Sequence, residues 1–272
     1  MQFVEAHGAK IPAIGLGTWE LSGHSCARIV EQAIRLGYRH IDTAQVYYNE
    51  RDVGEGIRNS HIRRSEMFVA TKVWTTHFAP NDLLRSTKES LHKMRLSEVD
   101  LLMLHWPNAH VPLNETLGAL AHARELGMTR HIGVSNFTVA LLKQAVALCP
   151  EPLVCNQVEY HPFLGQSNLL AACAELGIAM VAYSPIAKGT ARQSEVLTRI
   201  GAAHGKSPSQ VCLRWLVQQN VPAIPRTSRI ERLSQNIDVF DFVLSDDEMR
   251  EIFALGSPEG RLVHSVTEPD WD

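Results

Sequence analysis

Asp100-Leu-Leu-Met-Leu104 is apolar at every position after its first, and Ile178-Ala-Met-Val-Ala182 is apolar throughout. A strand hidden on both faces beneath helices reads this way, whereas a strand with one wet face alternates. The sheet is therefore expected to be parallel. Extending the first stretch to Val99–Leu104 and searching outward gives six more runs: Ala13–Leu16, Arg39–Ile41, Met67–Thr71, His131–Val134, Leu153–Asn156 and Val221–Ile224. Helical patterns separate them, with starts marked by Asn114 before Glu115, by Ser207-Pro208-Ser209-Gln210 and by a capping-box pattern at Ser228-Arg-Ile-Glu231. Strand and helix recur at about 30 residues, the size of a βαβ unit. Eight such runs close a ring, so the fold expected is an α/β protein of the (β/α)8 TIM-barrel class. Ahead of them, Phe3-Val4 and Lys10-Ile11 flank His7-Gly8 and predict a small hairpin on the barrel floor.

No low-complexity linker, charge block or shift in composition interrupts the 272 residues, so a single domain over 1–272 with a short C-terminal tail is expected. With 45% hydrophobic and 20% charged residues the chain can bury a core and is not of the disordered class. A net charge of −3 gives no general field for nucleic acid or an anionic membrane, so an anionic ligand has to be held by a local basic cluster. The five cysteines are an odd number without CxxC spacing and read as reduced thiols. The start of the chain lacks a basic segment followed by an apolar one, and no apolar stretch approaches ~18 residues. A cytoplasmic location is expected.

Each run ends in a chemically capable group: Asp42, Lys72, His105, Ser135 with Asn136, Gln157, Tyr183 and Arg226. In a (β/α)8 barrel these ends converge on the face that carries the active site. Asp42, Lys72 and His105 end the second, third and fourth runs, and Tyr47 lies in the loop after the second. A phenol near pKa ~10 is a poor acid, but a nearby ammonium favours its ionised form. Lys72 is thus expected to lower the pKa of Tyr47, with Asp42 holding Lys72 and a neutral His105 orienting a carbonyl oxygen. Such a set delivers a proton to a developing alkoxide.

No side chain donates hydride, so a nicotinamide cofactor is implied. Gly15-Leu-Gly17-Thr-Trp-Glu20 matches only the first two glycines of the G-x-G-x-x-G fingerprint, which argues against Rossmann binding. Pro225-Arg226-Thr227-Ser228-Arg229-Ile-Glu-Arg232, by contrast, opens a helix with free N–H groups, hydroxyls and guanidinium groups, a phosphate site.

Gly37-Tyr-Arg-His-Ile-Asp-Thr-Ala44 with Tyr47 and Asn49-Glu50, Lys72, Leu104-His-Trp-Pro107, Gly133-Val-Ser-Asn-Phe137, Asn156-Gln157 and Tyr183-Ser-Pro185 resemble the successive signatures of the aldo-keto reductases. The resemblance covers essentially the whole chain. It implies a barrel using NADPH/NADP+, with Tyr47 as acid/base and Asp42, Lys72 and His105 completing a tetrad. It further implies Ser135, Asn136 and Gln157 on the nicotinamide carboxamide, Tyr183 stacked on the ring, and Ser184 and Lys188 near the pyrophosphate. Arg226, Thr227, Ser228 and Arg232 would hold the 2′-phosphate, with Asn236 near the adenine. Within the family the chain is most similar to the bacterial 2,5-diketo-D-gluconate reductases, including its tail Arg261-Leu-Val263 and Pro269-Asp-Trp-Asp272. Arg226 stands where many relatives have lysine, and Gln235 where many have glutamate. The loop Ile186 to Ser194 is short, so slow closure over the cofactor is expected to be reduced. A monomer is expected, with a short tail that leaves the pocket open.

The expected activity is NADPH-dependent reduction of small dicarbonyls and keto sugars. Trp19, Trp74 and Trp106, just beyond the first, third and fourth runs, read as pocket walls rather than scattered core aromatics, with His105 also facing substrate. The thirteen histidines include no H-E-x-x-H, so no metal is expected. Phe137 replaces the second glycine of a nucleophile elbow, which disfavours a serine hydrolase. Two other readings stay open: an NADPH-binding regulatory or sensor subunit with little turnover, and a barrel isomerase using Lys72 and His105 without hydride.

Overall fold

The computed structural model describes residues 2–271. An antiparallel hairpin, β1 (Phe3–Ala6) and β2 (Ala9–Pro12), precedes seven parallel strands that neighbour one another in chain order: β3 (Leu16–Gly17), β4 (His40–Asp42), β5 (Phe68–Val73), β6 (Val99–Leu104), β7 (Thr129–Ser135), β8 (Leu153–Glu159) and β9 (Ala179–Tyr183). The crossovers carry α1 (Gly23–Arg35), α2 (Glu50–Asn59), α3 (Pro80–Met94), α4 (Leu113–Glu125), α5 (Val139–Leu148) and α6 (Ser167–Glu175). After β9 come α7 (Glu195–His204) and α8 (Pro208–Gln218), then α9 (Ile230–Ile237) and α10 (Asp246–Phe253). Among the described residues no helix is long and apolar enough to cross a membrane.

The eighth run closes the ring without forming an extended strand. Ala223 bridges Ile14 on one side and Ala182 on the other, and Arg226 bridges Gly17. Pro222 and Pro225 remove amide donors from this segment, which breaks its ladder into isolated bridges. What remains is carried by Gly15 N to Ala223 O at 2.9 Å, Gly17 N to Pro225 O at 3.2 Å and Ala182 N to Pro222 O at 2.7 Å, and by the two amides the prolines leave, Ala223 N to Ala13 O at 2.9 Å and Ile224 N to Ala182 O at 3.0 Å. A Cβ on Gly15 would lie 2.7 Å from the His40 ring, and one on Gly17 would lie 2.8 Å from Ile224 O. The glycines that imitate half a dinucleotide fingerprint therefore serve the seam of the barrel.

Leu101 and Met103 of β6 point into the barrel with Ala179 and Val181 of β9, while Leu102, Leu104, Met180 and Ala182 pack outward beneath the helices. This is the physical content of the uninterrupted apolar runs. Truncating a fully buried leucine such as Leu102 to alanine costs about 2–5 kcal/mol. Ala6, Ala9 and Ile11 of the hairpin join the inner core, so the hairpin does plug the floor.

Ser207 and Ser245 cap α8 and α10 with full capping boxes. Ser228 does not cap α9: the cap position is Arg229, whose N–H is taken at 3.0 Å by Thr227 Oγ1, and the Ser228 side chain is exposed. Asn114 lies inside α4, which starts one residue earlier behind Pro112. The tail packs along the rim formed by the strand C-termini. Leu262 and Val263 donate their N–H groups to the Glu159 carboxylate at 2.9 and 3.0 Å, and Trp271 meets Trp106 edge-on with ring centroids 6.2 Å apart. Glu159 is fully buried at the end of β8 with His161 Nε2 at 3.1 Å, and the tail amides satisfy its oxygens.

Candidate active site

Asp42 closes β4 and Lys72 lies one residue before the end of β5, on neighbouring strands, which brings their side chains together in the barrel interior. Lys72 Nζ donates to Asp42 Oδ1 at 2.5 Å and to the Thr43 carbonyl at 2.9 Å, and both charged side chains are almost fully buried. Removing either partner would strand the other charge out of water at a cost of about 3–5 kcal/mol. Asn49 braces the loop behind them. Its amide donates to the Thr18 and Leu21 carbonyls, both at 2.8 Å, while Thr43 Oγ1 donates to its Oδ1 at 2.7 Å.

Tyr47 sits in the one-turn helix after β4, half-buried, with Lys72 Nζ 5.3 Å from its ring centroid and the His105 ring edge-on at 5.6 Å. Trp74 also packs edge-on against His105, with ring centroids 5.3 Å apart. Burial, then the Lys72 ammonium, hold His105 well below the usual imidazole range, so it is neutral. Its Nδ1 is buried without a hydrogen-bond partner. Burial and then the Asp42 carboxylate push the Tyr47 phenol up, not down as expected from Lys72 alone. The reason is geometric: the ammonium is committed to Asp42 and Thr43, and its charge is largely cancelled at the phenol.

The expected carboxamide ligands form a connected network beside this group. Ser135 Oγ donates to Gln157 O at 2.7 Å, and Asn136 Nδ2 donates to His105 O at 3.0 Å and to Ser135 Oγ at 3.1 Å. Tyr183 OH donates to Asn136 Oδ1 at 2.9 Å, and Gln157 Nε2 donates to Asp42 Oδ2 at 2.8 Å. Asn136 adopts a left-handed backbone, φ +63°, which turns its side chain back over the ends of the strands. These amides and the half-buried Tyr183 ring suit a planar carboxamide, in exchange for bonds they now make with one another.

A separate cavity of about 280 Å³ opens between Ile186, the start of α8 and the start of α9. Arg226, Thr227, Arg232 and Asn236 line it as expected. Gln235, which the resemblance sets against a glutamate near the adenine, lines it too, and so do Arg192 and Ser207 to Ser209, which no sequence pattern marks for such a role. Burial, then Arg192 and Arg229, lower the pKa of Arg232, the mark of guanidinium groups crowded together. No carboxylate is among the lining residues, so the donor set fits a phosphate and thereby the adenosine end of NADPH. Arg226 spends Nε and Nη2 on the Trp19 and Glu20 carbonyls at 3.0 and 3.1 Å, tying the first loop to this pocket.

The remaining expected residues are more scattered. Ser228 is not among the pocket's lining residues, and Ser184 is half-buried with φ +49° in the turn after β9. Lys188 reaches sideways from the short loop, 5.5 Å from the Trp19 ring centroid and 3.1 Å from Leu262 O. Trp74 stands over His105, Trp106 is buried beneath Trp271, and Trp19 is largely exposed beside Lys188. Missed altogether were the Thr43 carbonyl, which no side-chain pattern reveals, and Arg192, an isolated arginine without periodicity around it.

The sequence model of the aldo/keto reductase family matches residues 13–256. Methylglyoxal reductase DkgB of Escherichia coli O157:H7 is 37% identical over 96% of this chain and 99% of its own length. A solved structure named for a 2,5-diketo-D-gluconic acid reductase B is 44% identical, with a TM-score of 0.98 over 100% of this chain and 98% of that one. The aldo-keto reductase of Bombyx mori in complex with NADP is 33% identical, with a TM-score of 0.91 over 98% of this chain and 96% of that one.

Proposed function

Because the chain belongs to the aldo/keto reductase family, we propose that it is an NADPH-dependent reductase of aldehydes and ketones, with small dicarbonyls and keto sugars such as 2,5-diketo-D-gluconate as its substrate class. The observation that carries this reading is the meeting of the Tyr47 phenol, the neutral His105 imidazole and the buried Lys72–Asp42 pair at one end of the barrel. Relatives named for methylglyoxal and glyoxal reduction support the substrate class. The NADP-bound neighbour and the arginine-lined cavity support the cofactor.

When bound, the nicotinamide supplies hydride to the carbonyl carbon. His105, neutral and with free ring nitrogens, orients the carbonyl oxygen by a hydrogen bond without placing a second cation beside Lys72. Tyr47 holds its proton firmly in the resting site and releases it only as negative charge develops on the substrate oxygen. Lys72 then supports the nascent phenolate, and Asp42 keeps Lys72 charged and fixed. Ser135, Asn136 and Gln157 would hold the carboxamide, Tyr183 the ring, Ser184 and Lys188 the pyrophosphate side, and Arg226, Thr227, Arg232 and Asn236 the adenosine 2′-phosphate end, with Ser228 beside them able to reach it only by turning in from the surface. Trp19, Trp74 and Trp106 would wall the substrate. The proposal includes a monomer working in the cytoplasm, a compartment that suits five cysteines all present as free thiols.

The test is loss of reduced-nicotinamide absorbance with methylglyoxal, a diketo sugar acid and an aromatic aldehyde, using NADPH and NADH in parallel with a fluorescence titration of cofactor. Turnover favouring NADPH is expected. Tight NADPH binding with no turnover of any carbonyl would replace the reductase by a nucleotide sensor, and absence of binding would overturn the pocket assignment.

A further inference from the structure

Among the described residues the Arg261 guanidinium makes no hydrogen bond and no close ion pair; the Glu159 and Glu268 carboxylates act on it only through space. The side chain is half-buried, and its Nη1 is shielded from solvent with no hydrogen-bond acceptor. Nor is it loose, because Cζ lies 3.6 Å from the centroid of the Trp271 ring. Trp271 packs against Trp106, which directly follows His105, so this platform belongs to the wall of the proposed site. The nearby carboxylates are spoken for. Glu159 accepts from Leu262 N, Val263 N and His161 on its two oxygens, and Glu268, which acts on Arg261 only through space, turns Oε2 to Ser265 N and the His264 ring. Lys72 at the floor is already neutralised by Asp42.

A guanidinium fork held over an indole matches a carboxylate in bidentate geometry, and leaving it unmatched is costly. We propose that Arg261 is the clamp for a substrate carboxylate, so that the preferred substrates are carbonyl acids, keto acids and keto sugar acids, rather than neutral dicarbonyls. The inference rests on the reductase reading above and sharpens it. The tail, in this view, carries the acid-recognising group and the aromatic surface that aims it. Its attachment through Glu159 fixes the distance between carboxylate and reacting carbonyl.

Succinic semialdehyde and butyraldehyde differ at the end remote from the aldehyde, one carrying a carboxylate and the other a methyl group. With saturating NADPH, Arg261→Met is expected to lower kcat/KM for the acid by about tenfold or more, mainly through KM, and to leave butyraldehyde within about twofold. Arg261→Lys should recover part of the loss. NADP+ affinity should be unchanged in both variants. Equal losses on the two aldehydes, or none on the acid, would overturn the clamp, and a loss that follows NADP+ affinity would reassign the guanidinium to cofactor phosphate. If the wild type reduced neither aldehyde, the reductase reading would fail separately. Glutarate, which cannot be reduced, still reads the clamp: it should quench tryptophan fluorescence in the wild type and not in Arg261→Met, and equal responses would refute it.

Discussion

Gln157 Nε2 donates to Asp42 Oδ2 at 2.8 Å while Lys72 holds the other oxygen of the same carboxylate, so a residue proposed for the cofactor amide also completes the solvation of the buried ion pair. Replacing Gln157 by methionine keeps the volume and removes the donor. The stranded Oδ2 should cost about 1–3 kcal/mol, read as a lower midpoint in urea unfolding with an unchanged m value. An unaltered midpoint would mean that water replaces the amide there.

Tyr47→Phe deletes the proton donor and leaves the ring between Lys72 and His105. Turnover should fall by about 10²-fold or more, with cofactor affinity within about twofold of the wild type. Steady-state kinetics beside a fluorescence titration separate the two quantities. Retained turnover would remove Tyr47 from its role.

Arg232→Ala relieves the crowding with Arg192 and Arg229 and removes a phosphate ligand from the cavity. NADPH should bind about tenfold more weakly or worse, with NADH little changed, because only the former carries the extra phosphate. A parallel loss for both cofactors would place the phosphate elsewhere.

Acidification should weaken the fold through two histidines. Burial lowers His40 to about 4 and holds His105 well below the ordinary range, so both stay neutral in the native barrel while the unfolded chain takes up protons near pH ~6.5. The unfolded state then binds more protons, and stability present above that pH is lost as the pH falls toward 4. For His40 the shift corresponds to about 3 kcal/mol by the end of that window. Chemical denaturation at pH 7, 6 and 5 should trace the decline. His40→Asn should flatten it, and an identical slope would acquit His40.

Much of the barrel was readable because two-sided burial writes itself into consecutive apolar residues, as Leu101 to Leu104 show by pointing alternately into the two cores. The catalytic candidates were readable because strand ends converge. What escaped depends on contacts between distant residues. Pro222 and Pro225 turned the last strand into bridges, and the helix expected to start on Ser228 is capped by the backbone of Arg229, whose amide turns back to Thr227 Oγ1. The Tyr47 phenol was misjudged because one pair, Lys72 and Tyr47, was weighed without burial and Asp42. Nothing in the local sequence of the tail announces that Glu159 waits to receive it.

The seam between Ile14–Gly17 and Ala223–Arg226 joins the first barrel strand to the last through a few isolated bridges. That joint pairs residues far apart in the chain, and contacts over such a separation form slowly. Arg226 spans it through the Trp19 and Glu20 carbonyls, so an anion gripped by that guanidinium would work as a rivet across the joint, and the nucleotide proposed for the chemistry would also fasten the staves.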